Sequence, residues 1–208
     1  DLGIFYEFIP LQHLHEPNPP IYTVGNVEMG VNYAMIISTN GGLWRYMIGD
    51  TVVFTSLFPH RIKISGRTKY YINAFGEEVI EENAEKALMA ACKETGAAIK
   101  DYTAGPMYMS DDTKGGHEWM IEFDHPPDNL EKFTEVLDRT LSSVNSDYEA
   151  KRYKNITLVL PKVVSLEPGT FYRWMQKRGK LGGQNKIPRL ANDRKYLDEL
   201  SDILSRKS

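Results

Sequence analysis

A chain of 208 residues fits one large domain or two small ones, at roughly 150 residues per domain, and its 41% hydrophobic residues supply a core that excludes a disordered chain. No run approaches the roughly 18 apolar residues of a membrane span, Asp1-Leu2-Gly3-Ile4 has no signal-peptide character, and a formal net charge of -3 argues against a nucleic-acid coat. One cysteine, Cys92, excludes an internal disulfide and a multi-cysteine metal site, and points to a reducing, cytoplasmic compartment.

Asp1 stands in place of an initiator methionine and leads directly into the apolar run Ile4-Phe5-Tyr6-Glu7-Phe8-Ile9-Pro10, a strand pattern expected of a fragment of a longer protein. Strands follow at 31–38, 43–46, 51–57 and 61–65, with Asn40-Gly41 as a hairpin signal. Short strands at this spacing predict a small barrel or a curled sheet. After about Tyr70 the pattern changes. Ile80, Ala84, Ala87, Leu88, Ala91 and Cys92 share one helical face, with Glu77, Glu78, Glu81 and Glu82 massed at its N-terminus, where the helix dipole favours negative charge. Cys92 lies on that face as a packing thiol.

Trp119, Ile121 and Phe123 alternate with Glu118, Met120, Glu122 and Asp124, mainly a half-buried strand pattern. Leu130, Phe133, Leu137, Leu141 and Val144 form a helical stripe opened by Asp128 and Glu131. A strand is expected at 156–160, a helix from Pro168 to about Arg178, and a closing helix on Tyr196, Leu197, Leu200, Ile203 and Leu204. The order β-α-β-β-α-β-α-α predicts an α+β fold: a β-rich, barrel-like segment, then a small α+β domain whose mainly antiparallel sheet has helices on one side. The composition shifts between Gly66 and Asn73, dividing the chain into 1–67 and 68–208, joined by a hinge-like basic stretch.

The net charge hides an asymmetry. Residues 1–172 carry 24 acids and 15 bases, a net of -9, whereas residues 173–208 carry 4 acids and 10 bases, a net of +6. Arg173, Lys177, Arg178, Lys180, Lys186 and Arg189 come with no acid among them up to Asn192. Such a run is either a solvated surface loop or an anion site.

Three stretches carry candidate chemistry. In Gly42-Leu43-Trp44-Arg45-Tyr46-Met47-Ile48-Gly49-Asp50, a glycine places a carboxylate at a turn between two strands. That acceptor-only group suits two vicinal ribose hydroxyls, though an ordinary turn aspartate has the same sequence. Ser65-Gly66-Arg67-Thr68-Lys69, followed by Asn73 and Gly76-Glu77, fits equally a strand end, a turn and a helix cap. In Lys180-Leu181-Gly182-Gly183-Gln184-Asn185-Lys186-Ile187-Pro188-Arg189, the glycines and the proline hold Lys186 on a loop between two helices. Its compact ammonium suits a phosphate clamp, although a solvent-exposed lysine needs no function at all. His13-x-His15 lacks a third ligand at metal spacing, so no metal site is expected there.

In this order and spacing, the three stretches resemble the adenylate-forming superfamily of acyl-CoA synthetases, peptide-synthetase adenylation domains and luciferases. Phe5-Tyr6-Glu7-Phe8-Ile9-Pro10 and the Gln-x-Lys-x-Pro-Arg form around Lys186 resemble more narrowly the auxin-responsive Gretchen Hagen family of acyl acid amido synthetases, in a bacterial-type version. The resemblance implies a ligase that uses ATP and magnesium to adenylate a small carboxylic acid and passes the acyl group to an amino acid. It implies Asp50 on the ribose, Arg67 near ribose and phosphate, Tyr46 in the nucleotide site, Thr68 and Lys69 as the hinge, and Lys186 as the adenylation lysine. Two departures stand out: Met47 replaces the arginine of Tyr-Arg-x-Gly-Asp, and the phosphate loop expected before Phe5 is missing. The chain is therefore expected to be the C-terminal part of such an enzyme, lacking the N-terminal adenylation domain and inactive alone. An acyl-CoA ligase and a noncatalytic binding module on the same fold remain the alternatives.

Overall fold

The structure, a computed structural model, describes residues 3–68, 70–109, 114–155, 157–182 and 185–205. The chain divides into two compact units, Asp1–Lys69 and Tyr70–Ser208.

The first unit is a five-stranded antiparallel sheet in the order β2-β1-β3-β4-β5. Its strands are β1 (Ile4–Pro10), β2 (Tyr22–Thr23), β3 (Asn32–Thr39), β4 (Tyr46–Leu57) and β5 (His60–Arg67). The expected barrel does not close: two-residue β2 and terminal β5 are the edges of an open sheet. Phe8, Val27, Tyr33, Val52 and Phe54 fill a small core on one face. There the Phe8 ring meets Phe54 edge-on at 5.1 Å. The expected two-residue hairpin at Asn40-Gly41 is instead a longer connection, closed by the Thr39 N–H on the Leu43 carbonyl at 2.8 Å. The two strands expected around the Gly49-Asp50 turn are one continuous β4.

The second unit opens with the short pair β6 (Tyr71–Ile72) and β7 (Val79–Ile80) and then α1 (Glu81–Thr95). Its sheet has the order β10-β9-β8, with β8 (Ala98–Met107) and β9 (Gly116–His125) antiparallel and β10 (Lys162–Leu166) parallel to β9. Between β9 and β10 lie α2 (Leu130–Val144) and α3 (Ser146–Arg152); α4 (Thr170–Lys177) and α5 (Lys195–Ser205) follow. The α+β class and the mainly antiparallel sheet hold. The helices, however, cover both faces. Trp119, Ile121 and Phe123 pack with Ala84, Leu88, Phe133 and Leu137 of α1 and α2. Met120, from the opposite face of β9, packs with Phe171, Trp174, Leu197 and Leu200 of α4 and α5.

Burial on both faces corrects the half-buried reading of β9, because Glu118 and Glu122 lie inside with partners. Of the strand expected at 156–160, Ile156 lies outside the described residues and the described ones supply a single bridge at Leu158; the paired strand lies further on, at β10. Helix α2 is capped by Asn129, whose side chain accepts the Lys132 N–H at 2.9 Å, one residue beyond the expected Asp128. Pro168 precedes the Gly169 cap of α4 instead of opening its first turn.

Candidate functional site

In the first unit the site begins with a fault in the ladder. Ala34 pairs with Thr51 but Ile36 pairs with Met47, so Ile48, Gly49 and Asp50 bulge out opposite Met35. Gly49 takes φ +90, a conformation that side chains resist. The glycine therefore acts inside a strand rather than at a turn, and the bulge re-aims Asp50. Across the next ladder Asp50 pairs with Arg67. The Arg67 Nε stands 3.2 Å from the Asp50 Oδ1, with side-chain exposures of 62% and 26%, so both groups remain open to a ligand.

Thr68 is buried, donating its N–H to the Gly49 carbonyl at 2.9 Å and its hydroxyl to the same oxygen at 3.4 Å. The bulge that presents Asp50 thus also clamps the end of β5. Tyr46 stands exposed at the head of β4, paired with Ile37. Lys69, the other expected hinge residue, lies outside the described residues. His13 bonds to Glu16 at 2.6 Å. No cluster of three His, Cys, Asp or Glu side chains able to hold a metal ion forms among the described residues.

In the second unit the basic stretch divides in two. Its three arginines are bound into the fold. The Arg178 guanidinium lies over Trp174 at 4.7 Å and Tyr196 at 4.9 Å, with Glu199 at 3.4 Å. Arg189 lies over Tyr102 at 5.5 Å and bridges Glu81, at 3.4 Å, and Glu85. Arg173 donates to the Thr170 hydroxyl at 3.0 Å, one turn back on its own helix. The lysines are different. The side chains of Lys177, Lys180 and Lys186 make no hydrogen bond or ion pair among the described residues, and Lys186 is exposed. Of the expected anion site, the ammonium groups are free and the guanidiniums are structural.

Sequence reasoning missed two features of this unit. Glu77, read as part of the acidic start of α1, is fully buried against the equally buried His117, 2.9 Å from its Nε2. Burial pushes the Glu77 carboxyl up, but the hydrogen bond and charge of His117 and the Phe75 N–H outweigh it and hold it low. No local pattern separates this glutamate from its partly exposed neighbours Glu78, Glu81 and Glu82. The Arg189 clamp did leave a signal, since Glu81 and Glu85 stand one helical turn apart on α1.

The geometry defines an α+β chain with an open carboxylate–guanidinium pair in one unit and a free lysine loop in the other. Residues 1–67 match the GH3 family central domain and residues 82–195 the GH3 family C-terminal domain. The chain belongs to the GH3 family, the Gretchen Hagen family of the sequence resemblance. Among its relatives, the 4-substituted benzoates-glutamate ligase GH3.12 of Arabidopsis thaliana is 24% identical, covering 98% of this chain and 38% of that protein. The jasmonoyl–L-amino acid synthetase GH3.5 of Oryza sativa subsp. japonica is 28% identical, covering 90% and 35%. A solved structure of the GH3.15 acyl acid amido synthetase superposes with a TM-score of 0.67 at 20% identity, over 96% of this chain and 36% of that one. The chain thus spans a little over a third of the length of these relatives.

Proposed function

We propose that the chain is the C-terminal portion of an ATP-dependent acyl acid amido synthetase. The observation that carries the proposal is Lys186, an exposed ammonium without a partner among the described residues, in a loop whose neighbouring arginines are all committed elsewhere. In the first step a carboxylate oxygen of the acid attacks the α-phosphorus of ATP. An acyl–O–P bond forms, the bond to the β-phosphate oxygen breaks, and pyrophosphate leaves. Lys186 sits between the two anions and stabilises the negative charge as it redistributes, a task of position and electrostatics with no proton to transfer. In the second step the neutral amine of an amino acid attacks the acyl carbon, AMP leaves with the bonding pair, and the amine gives up a proton to solvent.

Asp50 and Arg67 suit the nucleotide. A carboxylate offers about four acceptor sites, so Asp50 can keep Arg67 on one oxygen and still accept two ribose hydroxyls; the guanidinium then faces the phosphate side. Tyr46, exposed on the same strand, adds a ring to that site. The described residues contain no ligand cluster for the magnesium expected with ATP, and no step is assigned to it. The adenylation domain that would complete the site, with its phosphate loop, belongs to the longer enzyme, and we expect this portion alone to be inactive. A rotation of the C-terminal domain between the steps, with its hinge at Thr68 and Lys69 as the resemblance implies, would start beyond the bonds that tie Thr68 to the Gly49 carbonyl.

The relatives' names join benzoates to glutamate and a jasmonoyl group to an L-amino acid, which supports an amino acid acceptor over coenzyme A. A cytoplasmic setting fits this chemistry, and no helix among the described residues is long and apolar enough to cross a membrane. The test is acid-dependent ATP–pyrophosphate exchange by the full-length enzyme. Lys186→Ala should abolish it, and full activity in that variant would refute the assignment. Discharge of a preformed adenylate by coenzyme A but not by amino acids would favour the acyl-CoA ligase instead.

A further inference from the structure

Lys186 works only if its ammonium is delivered to one place, yet it lies on a glycine-containing loop and no helix or strand covers residues 185–189 around it. Its position is therefore set by its ends. On the α4 side, the Lys180 N–H returns to the Met175 carbonyl at 2.9 Å, and Arg178 is held between two rings. On the far side the chain is sewn to β8. The Thr103 hydroxyl donates to the Pro188 carbonyl at 2.8 Å, the Ala104 N–H to the Arg189 carbonyl at 2.8 Å, and the Ala191 N–H to the Ala104 carbonyl at 3.0 Å. Gly105 makes room: a Cβ there would stand 2.8 Å from the Asp193 carbonyl oxygen. Ile187 packs against the Met120–Trp174 core beside Lys186.

Backbone bonds alone fix height above the sheet. The Arg189 side chain adds the lateral anchor, because its guanidinium bridges Glu81 and Glu85 of α1 while lying over Tyr102 of β8. We infer that Arg189 is a positioning residue for Lys186, tying the loop to helix α1 three residues from the ammonium. The inference rests on the adenylation role of Lys186. Burial acts to weaken the Arg189 charge, but Tyr102, Glu81, Glu85 and Asp101 around it outweigh burial, so the anchor stays charged. With two carboxylates and a ring already on it, the Arg189 charge is committed to its own unit.

The experiment measures each half-reaction in the full-length enzyme. Arg189→Ala should lower kcat of acid-dependent ATP–pyrophosphate exchange by on the order of 100-fold, the cost of misplacing a catalytic group by about 1 Å. KM for ATP and the rate at which an amino acid discharges a preformed acyl adenylate should stay near wild type. Arg189→Lys, which keeps the charge but not the planar fork, should recover part of the loss. Glu81→Gln combined with Glu85→Gln leaves Arg189 in place, removes its anchor, and should reproduce the kcat effect even if Arg189→Ala does not fold. Three results would overturn the inference: unchanged exchange in the glutamate variant, an equal loss in both half-reactions, or a rise in KM for ATP with kcat intact. If wild type shows no exchange at all, the adenylation reading falls first. If wild type is active and Lys186→Ala inert while the Arg189 and glutamate variants match wild type, only the positioning role falls.

Discussion

Glu122 shows how much structure one side chain on a central strand can hold. Buried on β9, it accepts the Gly169 N–H at 2.8 Å and the Phe171 N–H at 3.1 Å at the start of α4, and pairs with Lys100 at 3.0 Å. Glu122→Ala would leave two N–H groups at a helix N-terminus without an acceptor, and should cost about 2–5 kcal/mol of unfolding free energy, read from urea denaturation. Glu122→Gln keeps one acceptor oxygen and should cost less. At Gly49 the cost is conformational. Gly49→Ala forces a Cβ into φ +90, a strain of about 1–3 kcal/mol, and would flatten the bulge or tilt it. Asp50 is then misdirected and Thr68 loosened, so KM for ATP should rise in the full-length enzyme by more than the loss in thermal stability accounts for. Legibility at this scale was uneven. Gly49-Asp50 was visible as a motif because glycine beside aspartate is rare inside a strand, but whether it made a turn or a bulge depended on the pairing of β3 with β4, which no local pattern records. Glu122 reads from sequence as an exposed position because alternation assumes one wet face.

Strand β9 concentrates buried charge. Glu118, held by Lys162 at 2.7 Å and Arg194 at 2.8 Å, and Glu122 both have burial pushing their carboxyls up and hydrogen-bonded partners prevailing to hold them low. Glu77, against His117, shifts the same way. Groups whose folded pKa lies below the unfolded value of about 4.3 contribute stability that is fully present above that value and lost as pH falls through the folded pKa. The second unit should therefore hold a constant contribution from Glu118 and Glu122 between pH 5 and 7 and lose it progressively as pH falls below about 4.3. A Glu118→Gln, Glu122→Gln double variant should be less stable at pH 7 and show a shallower acid limb in thermal melts from pH 3 to 7. An identical slope would assign acid unfolding to other groups. Helices α1, α2 and α5 were legible because one apolar stripe decides them. Strand β10 was misplaced because Leu158 and its apolar neighbours carry the same β preference as Val163 and Val164, and only the parallel pairing with β9 chooses between them. That α4 and α5 cover the far face of the sheet was not legible, for the reason Glu122 was not, since the polar positions of β9 are paired inside.

The two units differ in how completely each supports itself. Residues 70–208 place two apolar clusters back to back on one sheet, with Trp119 and Trp174 almost entirely buried. At about 25 cal/mol per Å² of buried apolar surface, and with both faces of the sheet dry, such a unit is large enough to fold alone. Residues 1–69 have only the Phe8–Tyr33–Val52–Phe54 core. Ile62 and Ile64 of β5 pair with Phe54 and Val52 and so share the core face, yet they remain 49% and 66% exposed, while Trp44 is 83% exposed. An open edge strand whose core-face apolar residues stay exposed is prone to self-association. Expressed separately, 70–208 should give a monomer that unfolds in one cooperative transition, with a urea m-value appropriate to its size. Residues 1–69 should bind a hydrophobic dye and elute as aggregates, and Ile62→Lys with Ile64→Lys should suppress that association while leaving the Gly49 bulge intact. If 70–208 unfolded without cooperativity, or 1–69 stayed monomeric and dye-free, the line between the units would not be a boundary of stability. The reach of Lys186 would then depend on contacts beyond its own unit, and the clamp made by Arg189 would be only part of what sets the loop.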